Sequence, residues 1–140
     1  MNAPFPVADA RLALIERHAA LIDAAIKAVS TRAAWSPFKD SPSTKIHGPD
    51  KPVAGKAAFE TQLNRPFDLD LPGVIDHVGA EVSPFTGEPL GITYPRCDPE
   101  ALIAAAQTAW PDWRAADPKL RLALCAEMAT RLYDVNFEMA

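Results

Sequence analysis

The sequence contains few of the residues from which compact active sites and cross-linked scaffolds are often built. Its 140 residues include two cysteines, three histidines and six glycines. Two cysteines in a chain of this length provide neither a disulfide framework nor the spacing of a zinc site. The glycine motifs of dinucleotide-binding folds, P-loops and nucleophile elbows are missing from it. The sequence therefore predicts no loop that would cradle a phosphate.

The charge and hydropathy patterns exclude two further kinds of partner. Lys and Arg number 14, Asp and Glu number 18, and the two signs are interspersed along the chain. This pattern lacks the basic patch that binds nucleic acid. No apolar run approaches the roughly 20 residues that span a bilayer, and the N-terminus does not look like a signal peptide. We therefore expect a soluble, cytoplasmic protein that binds neither nucleic acid nor membrane.

The first quarter of the chain predicts one long helix. Between about Ala8 and Ala34 alanine is abundant, glycine is absent, and large apolar residues recur at steps of three and four. This spacing puts them on one face of a helix. We expect the helix to end at Ser36-Pro37, because the residue before a proline is disfavoured in helical geometry. The predicted apolar stripe consists of Leu12, Ile15, Ala19, Ile22, Ile26 and Val29.

Residues 36–79 predict a proline-rich extended arm. Six prolines in this segment remove backbone donors and fix φ, so we expect no long regular element there. A short helical turn around Ala57–Leu63 is the exception. The segment also carries large apolar side chains, which favours an arm that lies across another surface over a flexible tether.

Residues 80–140 predict a β-hairpin followed by two helices. Residues 81–83 and 90–94 have the composition of short strands, and Gly87 can adopt positive φ in the turn between them. Asp98-Pro99 and Asp117-Pro118 each combine an N-cap residue with a proline at the next position, which predicts two helix starts. The predicted apolar faces are Leu102, Ile103, Ala106 and Ala109 on the first helix, and Leu120, Leu124, Met128, Leu132 and Val135 on the second.

The last predicted helix carries no glycine or proline stop signal before Ala140. We interpret the chain as a piece of a longer protein. Its predicted regions are an N-terminal amphipathic helix (1–35), the arm (36–79) and the hairpin with two helices (80–140).

Cys97 and Cys125 are the candidate thiol nucleophiles. A catalytic thiol needs a lowered pKa and an open approach. Cys97 precedes a predicted helix N-terminus, whose partial positive charge favours a thiolate. Cys125 lies between Leu124 and Ala126, where a small buried residue is expected. We interpret both cysteines as structural.

The other polar candidates form no recognisable ligand set. His18, His47 and His77 lack partners at metal-ligand spacing, and His18 borders the apolar stripe, which favours a packed, hydrogen-bonded side chain. Asp68 and Asp70 would share one face of an extended segment, where paired carboxylates serve either chemistry or solvation. We favour solvation of that face or pairing with a base. The tryptophans are interpreted as packing residues rather than interface anchors: Trp35, Trp110 and Trp113.

The order of motifs after residue 80 resembles the opening of the cofactor-binding domain of the aldehyde dehydrogenase superfamily. Residues 83–88 (SPFTGE) match the family's S/N-P-x-T-G-E turn. An alanine-rich helix, an aromatic-Pro-x-Trp break at residues 110–113 and another helix follow in the family's order. Residues 65–73 and 137–140 look like the branch known as phenylacetic acid degradation protein PaaN.

The resemblance implies an α/β domain, of which this chain is the mainly α N-terminal part with a short β-hairpin, truncated before the parallel sheet. The family oxidises aldehydes with NAD(P) through a thiohemiacetal on cysteine. The branch implies a semialdehyde coenzyme A thioester from phenylacetate breakdown as substrate. The family's catalytic and nucleotide-binding residues belong to segments after Ala140, so no catalytic, cofactor-binding or metal residue is assigned in this chain.

The resemblance also implies a scaffold role, with the remainder of the parent enzyme and further copies in a homo-oligomer as partners. Two alternatives stay open. One is a small helical protein-interaction module in which the first helix joins a coiled coil or bundle. The other is a small independent enzyme that uses Cys97 or His77.

Overall fold

The structure is a computed structural model that describes residues 8–39 and 41–139. Its elements are α1 (Ala8–Thr31), α2 (Thr44–His47), α3 (Asp50–Glu60), β1 (Val74–Val78), β2 (Tyr94–Cys97), α4 (Pro99–Ala115), α5 (Pro118–Asp134) and α6 (Asn136–Met139). The strands form one two-stranded antiparallel sheet. The prediction of a mainly helical chain with a short β-hairpin is confirmed. Over the same residues, no helix is long and apolar enough to cross a bilayer.

The helix α1 confirms the predicted first helix but ends before Ser36-Pro37 is reached. Arg32 has a positive φ of 53°. Its N–H donates to the carbonyl of Val29 at 3.2 Å, and the N–H of Ala33 donates to the carbonyl of Ala28 at 3.0 Å. This pair of bonds is a Schellman motif, which satisfies carbonyls that the helix end would otherwise leave unpaired. The backbone at Arg32, and not the proline, therefore ends α1.

A glycine in place of Arg32 should stabilise the chain. A side chain in the left-handed region costs about 1 kcal/mol, and the greater freedom of glycine in the unfolded chain offsets part of the gain. We expect Arg32→Gly to raise the free energy of unfolding by about 0.5 kcal/mol in urea denaturation. Arg32→Ala should leave it nearly unchanged. A lower stability for Arg32→Gly would show that the arginine charge matters more to this helix end than its backbone strain.

The face that α1 buries differs from the predicted stripe. Ile22 is only 7% exposed, but the other strongly protected residue is His18, at 5%. This face packs against α5, whose Ala123 and Ala126 are buried. More than half of the side chain is exposed at three stripe positions: Leu12, Ile26 and Val29. The stripe prediction was wrong there because an alanine-rich helix offers several apolar faces, and the partner helix selects one of them.

Residues 36–79 form more regular structure than predicted. Besides α2, they contain the eleven-residue helix α3 and the strand β1. Pro52 lies in the first turn of α3, where its missing N–H has no intrahelical partner to lose. The helix then packs against α6. The expectation of an arm without long regular elements was wrong, while the division of the chain at residues 35 and 79 stays a prediction.

The hairpin ladder lies further from the turn than predicted. β1 pairs with β2, with Val78 opposite Tyr94. Of the residues predicted as strands, Val82 forms an isolated bridge with Pro89, Thr93 forms one with Pro66, and Tyr94 is the first residue of β2. Pro89 has no N–H to donate to a longer ladder. Gly87 has a φ of 75°, which confirms its place in the turn.

Both predicted Asp-Pro helix starts are confirmed. Asp98 accepts a hydrogen bond from the N–H of Glu100 at 3.0 Å, and Asp117 accepts one from the N–H of Lys119 at 2.7 Å. The predicted break at residues 110–113 is wrong, because α4 continues through Pro111. A proline removes one helical hydrogen bond and crowds one carbonyl, and α4 tolerates this cost at Pro111.

The helices α4 and α5 leave much of their predicted apolar faces in solvent. None of the residues of α4 is buried. Leu102 and Ile103 on its predicted face are 39% and 57% exposed. On α5, Leu120 is buried and Leu124 half-buried. The other members of the predicted α5 face are exposed: Met128, Leu132 and Val135. The chain therefore displays apolar surface that its own described elements do not cover.

Candidate interaction surface

The candidate catalytic side chains lie on different elements. Cys97 is half-buried in β2, whereas Cys125 is exposed on α5, so the burial expected for Cys125 was wrong. His77 is exposed in β1, and Asp68 and Asp70 are exposed in the chain before it. Among the residues that the structure describes, no group of three or more His, Cys, Asp or Glu side chains could hold a metal ion.

Two of the three tryptophans are more exposed than packing residues usually are. Trp35 and Trp110 are 43% and 57% exposed, and Trp113 is half-buried. Trp110 lies on α4, whose residues all keep some exposure. Large exposed aromatic side chains favour an interface role over packing within this chain.

His18 links α1 to α5 through a cluster of charged groups. Its Nε2 donates to Oε2 of Glu127 at 2.7 Å. Arg17 donates to the same oxygen at 3.2 Å, and Arg131 donates to Oε1 of Glu127 at 2.8 Å. The prediction that His18 is a packed, hydrogen-bonded side chain is confirmed. Both carboxylate oxygens accept bonds from this chain's own donors, so the cluster positions α1 on α5.

The same contacts set the ionisation of the carboxylate. Hydrogen bonds from His18 and then Arg131 lower the pKa of Glu127 to about 2, and partial burial opposes this shift. Glu127 therefore remains charged at neutral and mildly acidic pH. The charge of Glu127 connects α5 to α1. Protonation of this carboxylate in acid should therefore weaken the contact between the two helices.

Glu127→Gln should reduce the acid sensitivity of the chain's stability. The folded pKa lies below the usual value of 4.5, so the unfolded chain binds the proton more readily. The contribution of Glu127 to the free energy of unfolding is then fully present above about pH 4.5 and is lost as the pH falls towards 2. Urea denaturation across this range should show a steeper loss for the unsubstituted chain than for Glu127→Gln.

Glu60→Gln is the matched control for that experiment. Glu60 lies 3.9 Å from Lys56 in an exposed i,i+4 pair, which contributes little to stability. Its substitution should leave the slope of stability against pH close to that of the unsubstituted chain. Equal slopes for Glu127→Gln and the unsubstituted chain would mean that Glu127 is not stabilised by its partners.

A second cluster holds the segment before α2 against the C-terminal helices. Phe38 stacks on Tyr133 with ring centroids 4.4 Å apart. His47 donates to the carbonyl of Ser41 at 2.7 Å and meets the ring of Phe137 edge-on at 5.0 Å. These ring contacts place Phe38 and His47 against α5 and α6, and the rings of Phe38, Tyr133 and Phe137 line a cavity of about 550 Å³.

An apolar groove runs between α3, the chain after residue 90 and the C-terminal helices; we call it the C-terminal groove. It consists of two adjoining cavities of about 390 and 590 Å³ that share the walls Phe59, Leu90, Glu138 and Met139. The smaller cavity extends to Phe85 and Phe137, and the larger one to Phe67, Ile92, Tyr94, Leu132 and Val135. The groove joins parts of the chain that are distant in sequence.

A hydrogen-bonded turn holds Phe85 in solvent at one end of the C-terminal groove. Oγ of Ser83 accepts bonds from the N–H groups of Phe85 at 3.3 Å and Thr86 at 3.2 Å. The carbonyl of Ser83 accepts a bond from the N–H of Gly87 at 2.9 Å. Phe85 is nevertheless 90% exposed. An ordered backbone that displays a large aromatic side chain is typical of an interface anchor. The turn motif located this loop in the sequence, but only exposure identifies the anchor.

The fold is similar to part of a solved enzyme, the NAD-dependent aldehyde dehydrogenase from Burkholderia multivorans. The match covers 90% of this chain with a TM-score of 0.78 and 40% sequence identity. This chain spans 22% of the length of that enzyme. No family model matches the chain. A comparison with curated proteins likewise finds no match.

The structural match agrees with the motifs in the sequence. The S-P-F-T-G-E turn, the alanine-rich helix α4 and the helix α5 follow one another in the order that the aldehyde dehydrogenase resemblance implies, although the expected break at residues 110–113 does not form. Identity of 40% over nine tenths of the chain adds residue-level similarity to the shared fold. These findings support an origin for this chain in the aldehyde dehydrogenase superfamily, as a segment that corresponds to 22% of such an enzyme.

Proposed function

We propose that this chain is a scaffold portion of a longer NAD(P)-dependent aldehyde dehydrogenase-like enzyme and is not catalytic by itself. One observation carries the proposal: a chain that spans 22% of a similar enzyme leaves large apolar side chains exposed on β1, α4 and the C-terminal groove. Examples on β1 and α4 are Ile75 and Ile103, at 63% and 57% exposure. Where such side chains form contiguous apolar surface, that surface usually meets another part of a protein.

We infer the parent's substrate from the resemblance of residues 65–73 and 137–140 to the phenylacetic acid degradation branch. The substrate is then an open-chain semialdehyde carried as a coenzyme A thioester, which the parent oxidises with NAD or NADP. The branch-like segment supports the hairpin in this chain, since the N–H of Phe67 donates to the carbonyl of Thr93 at 2.7 Å. This hydrogen bond gives the segment a contact within the scaffold.

The proposed partners are the remainder of the enzyme and further copies of it in a homo-oligomer. The remainder supplies the nucleophile and the cofactor site. The packing of α1 favours this function over a coiled-coil interaction module. Its most protected face is already used inside the chain, where His18 and Ile22 are buried against α5.

Two measurements test the proposed function. The purified chain should produce no NADH or NADPH with aldehydes and should bind neither nucleotide in calorimetry. A chimeric enzyme, in which this chain replaces the matched segment of the Burkholderia multivorans aldehyde dehydrogenase, should fold and form NADH from an aldehyde. Saturable aldehyde oxidation by the chain alone would contradict the proposal, as would a chimeric enzyme that does not fold.

A further inference from the structure

We propose that the C-terminal groove, with Phe85 at its end, is the seat for an apolar segment from the remainder of the same aldehyde dehydrogenase-like polypeptide. This inference rests on the proposed function and adds to it the surface through which the scaffold binds the rest of the enzyme. The segment inserts aliphatic or aromatic side chains into the groove. The ring of Phe85 in turn packs against residues of the remainder that lie around this segment.

The chemistry of the groove walls selects an apolar occupant. Tyr94, Leu132 and Met139 line it and are 37%, 53% and 62% exposed. Among the described residues that line it, the charged ones are the base Lys56 and the acid Glu138. Because these charges are of opposite sign and the rest of the lining is largely apolar, the groove suits uncharged side chains better than a phosphate or a carboxylate.

The size of the groove also fits a chain segment. The two cavities, of about 390 and 590 Å³, adjoin at four shared wall residues. Each has room for several side chains, and three parts of this chain together line them. A helix or strand bound in the groove would bury the apolar surface that Leu132 and Met139 now expose to solvent.

Phe85 supplies a second contact on the same side of the molecule. Its turn is fixed by bonds to Ser83, so little conformational freedom is lost when the ring becomes buried. Phe85 is thus an aromatic anchor on a preorganised loop, and the groove beside it is an apolar pocket. Anchors and the pockets that they fill contribute most of the binding energy in interfaces.

The remainder of the polypeptide is a better occupant than a second copy of the chain. The matched enzyme contains far more residues than this chain, which spans 22% of it. A segment in the same polypeptide has an effective concentration on the order of millimolar, so it fills the groove before a separate copy at ordinary concentrations can do so.

The chimeric enzyme tests this assignment. Phe85→Ser should leave the melting temperature of the isolated chain unchanged, because the ring is 90% exposed there. In the chimeric enzyme, where the ring is buried, the same change should lower the melting temperature by about 4 °C or more. Leu132→Ser should likewise lower the melting temperature of the chimeric enzyme. Hydrogen exchange at residues 132–139 should be slower in the chimeric enzyme than in the isolated chain.

Val29→Ser is the control, because Val29 is 79% exposed on α1 and lies outside the groove. It should leave both melting temperatures unchanged.

A folded, active chimeric enzyme in which Phe85→Ser and Leu132→Ser act no differently from Val29→Ser would overturn this inference and leave the proposed function standing. A dimer of the isolated chain that Phe85→Ser dissociates, with no effect in the chimeric enzyme, would assign the groove to a second copy. A chimeric enzyme that fails to fold without substitution would overturn the proposed function and this inference together.

Discussion

Replacement of Ile22 by aspartate is expected to lower the free energy of unfolding by about 4 kcal/mol, enough to unfold most of a marginally stable chain. Ile22 is 7% exposed where α1 packs on α5. An aspartate there must either remain charged in an apolar contact or bind a proton at neutral pH, and both are unfavourable. Urea denaturation followed by circular dichroism measures the loss.

Ile26→Asp is the informative control for that change. Ile26 is one turn further along α1 and belongs to the same predicted stripe, but it is 55% exposed. The periodic pattern predicts similar losses at the two positions, whereas the structure predicts a large loss at Ile22 alone. Lys27→Asp, off the stripe, should also be nearly neutral. A loss at Ile26 as large as that at Ile22 would show that α1 buries a different face.

Gly55→Leu should lower the free energy of unfolding by about 3 kcal/mol, because it either separates α3 from α6 or strains their contact. A Cβ atom at Gly55 would lie 2.5 Å from Cβ of Phe137, 2.6 Å from its carbonyl carbon and 2.7 Å from its carbonyl oxygen. Two of these atoms belong to the backbone, so a side-chain rotation cannot relieve the overlap. Overpacking of this kind typically costs about 1–3 kcal/mol, and leucine reaches further than Cβ.

The glycine-to-leucine change also improves helix propensity by somewhat less than 1 kcal/mol, which opposes the expected loss. Ala57→Leu, at an exposed position of the same helix, controls for an added leucine without a clash. Thermal unfolding should show a clear decrease for Gly55→Leu and little change for Ala57→Leu. If Gly55→Leu instead stabilises the chain, the approach of α6 to α3 in solution is looser than in the structure.

Local sequence signals determined where α1, α4 and α5 lie. The long alanine-rich run gives α1, and Asp98-Pro99 and Asp117-Pro118 give the starts of α4 and α5, because an N-cap bond and a fixed φ act within a few residues. Gly87 located its turn for the same reason. The S-P-F-T-G-E motif and its surroundings also indicated the aldehyde dehydrogenase superfamily, which the structural match supports.

Tertiary structure decided which faces of those helices are buried. The bond between His18 and Glu127 joins residues 109 positions apart, and no local pattern encodes it. The same holds for the pairing of β1 with β2 and for the approach of Gly55 to Phe137. Periodicity identifies an apolar face only when one face is clearly more apolar than the others, and alanine-rich helices do not meet that condition. The partner surfaces then make the choice, and they left Phe85 and the C-terminal groove exposed.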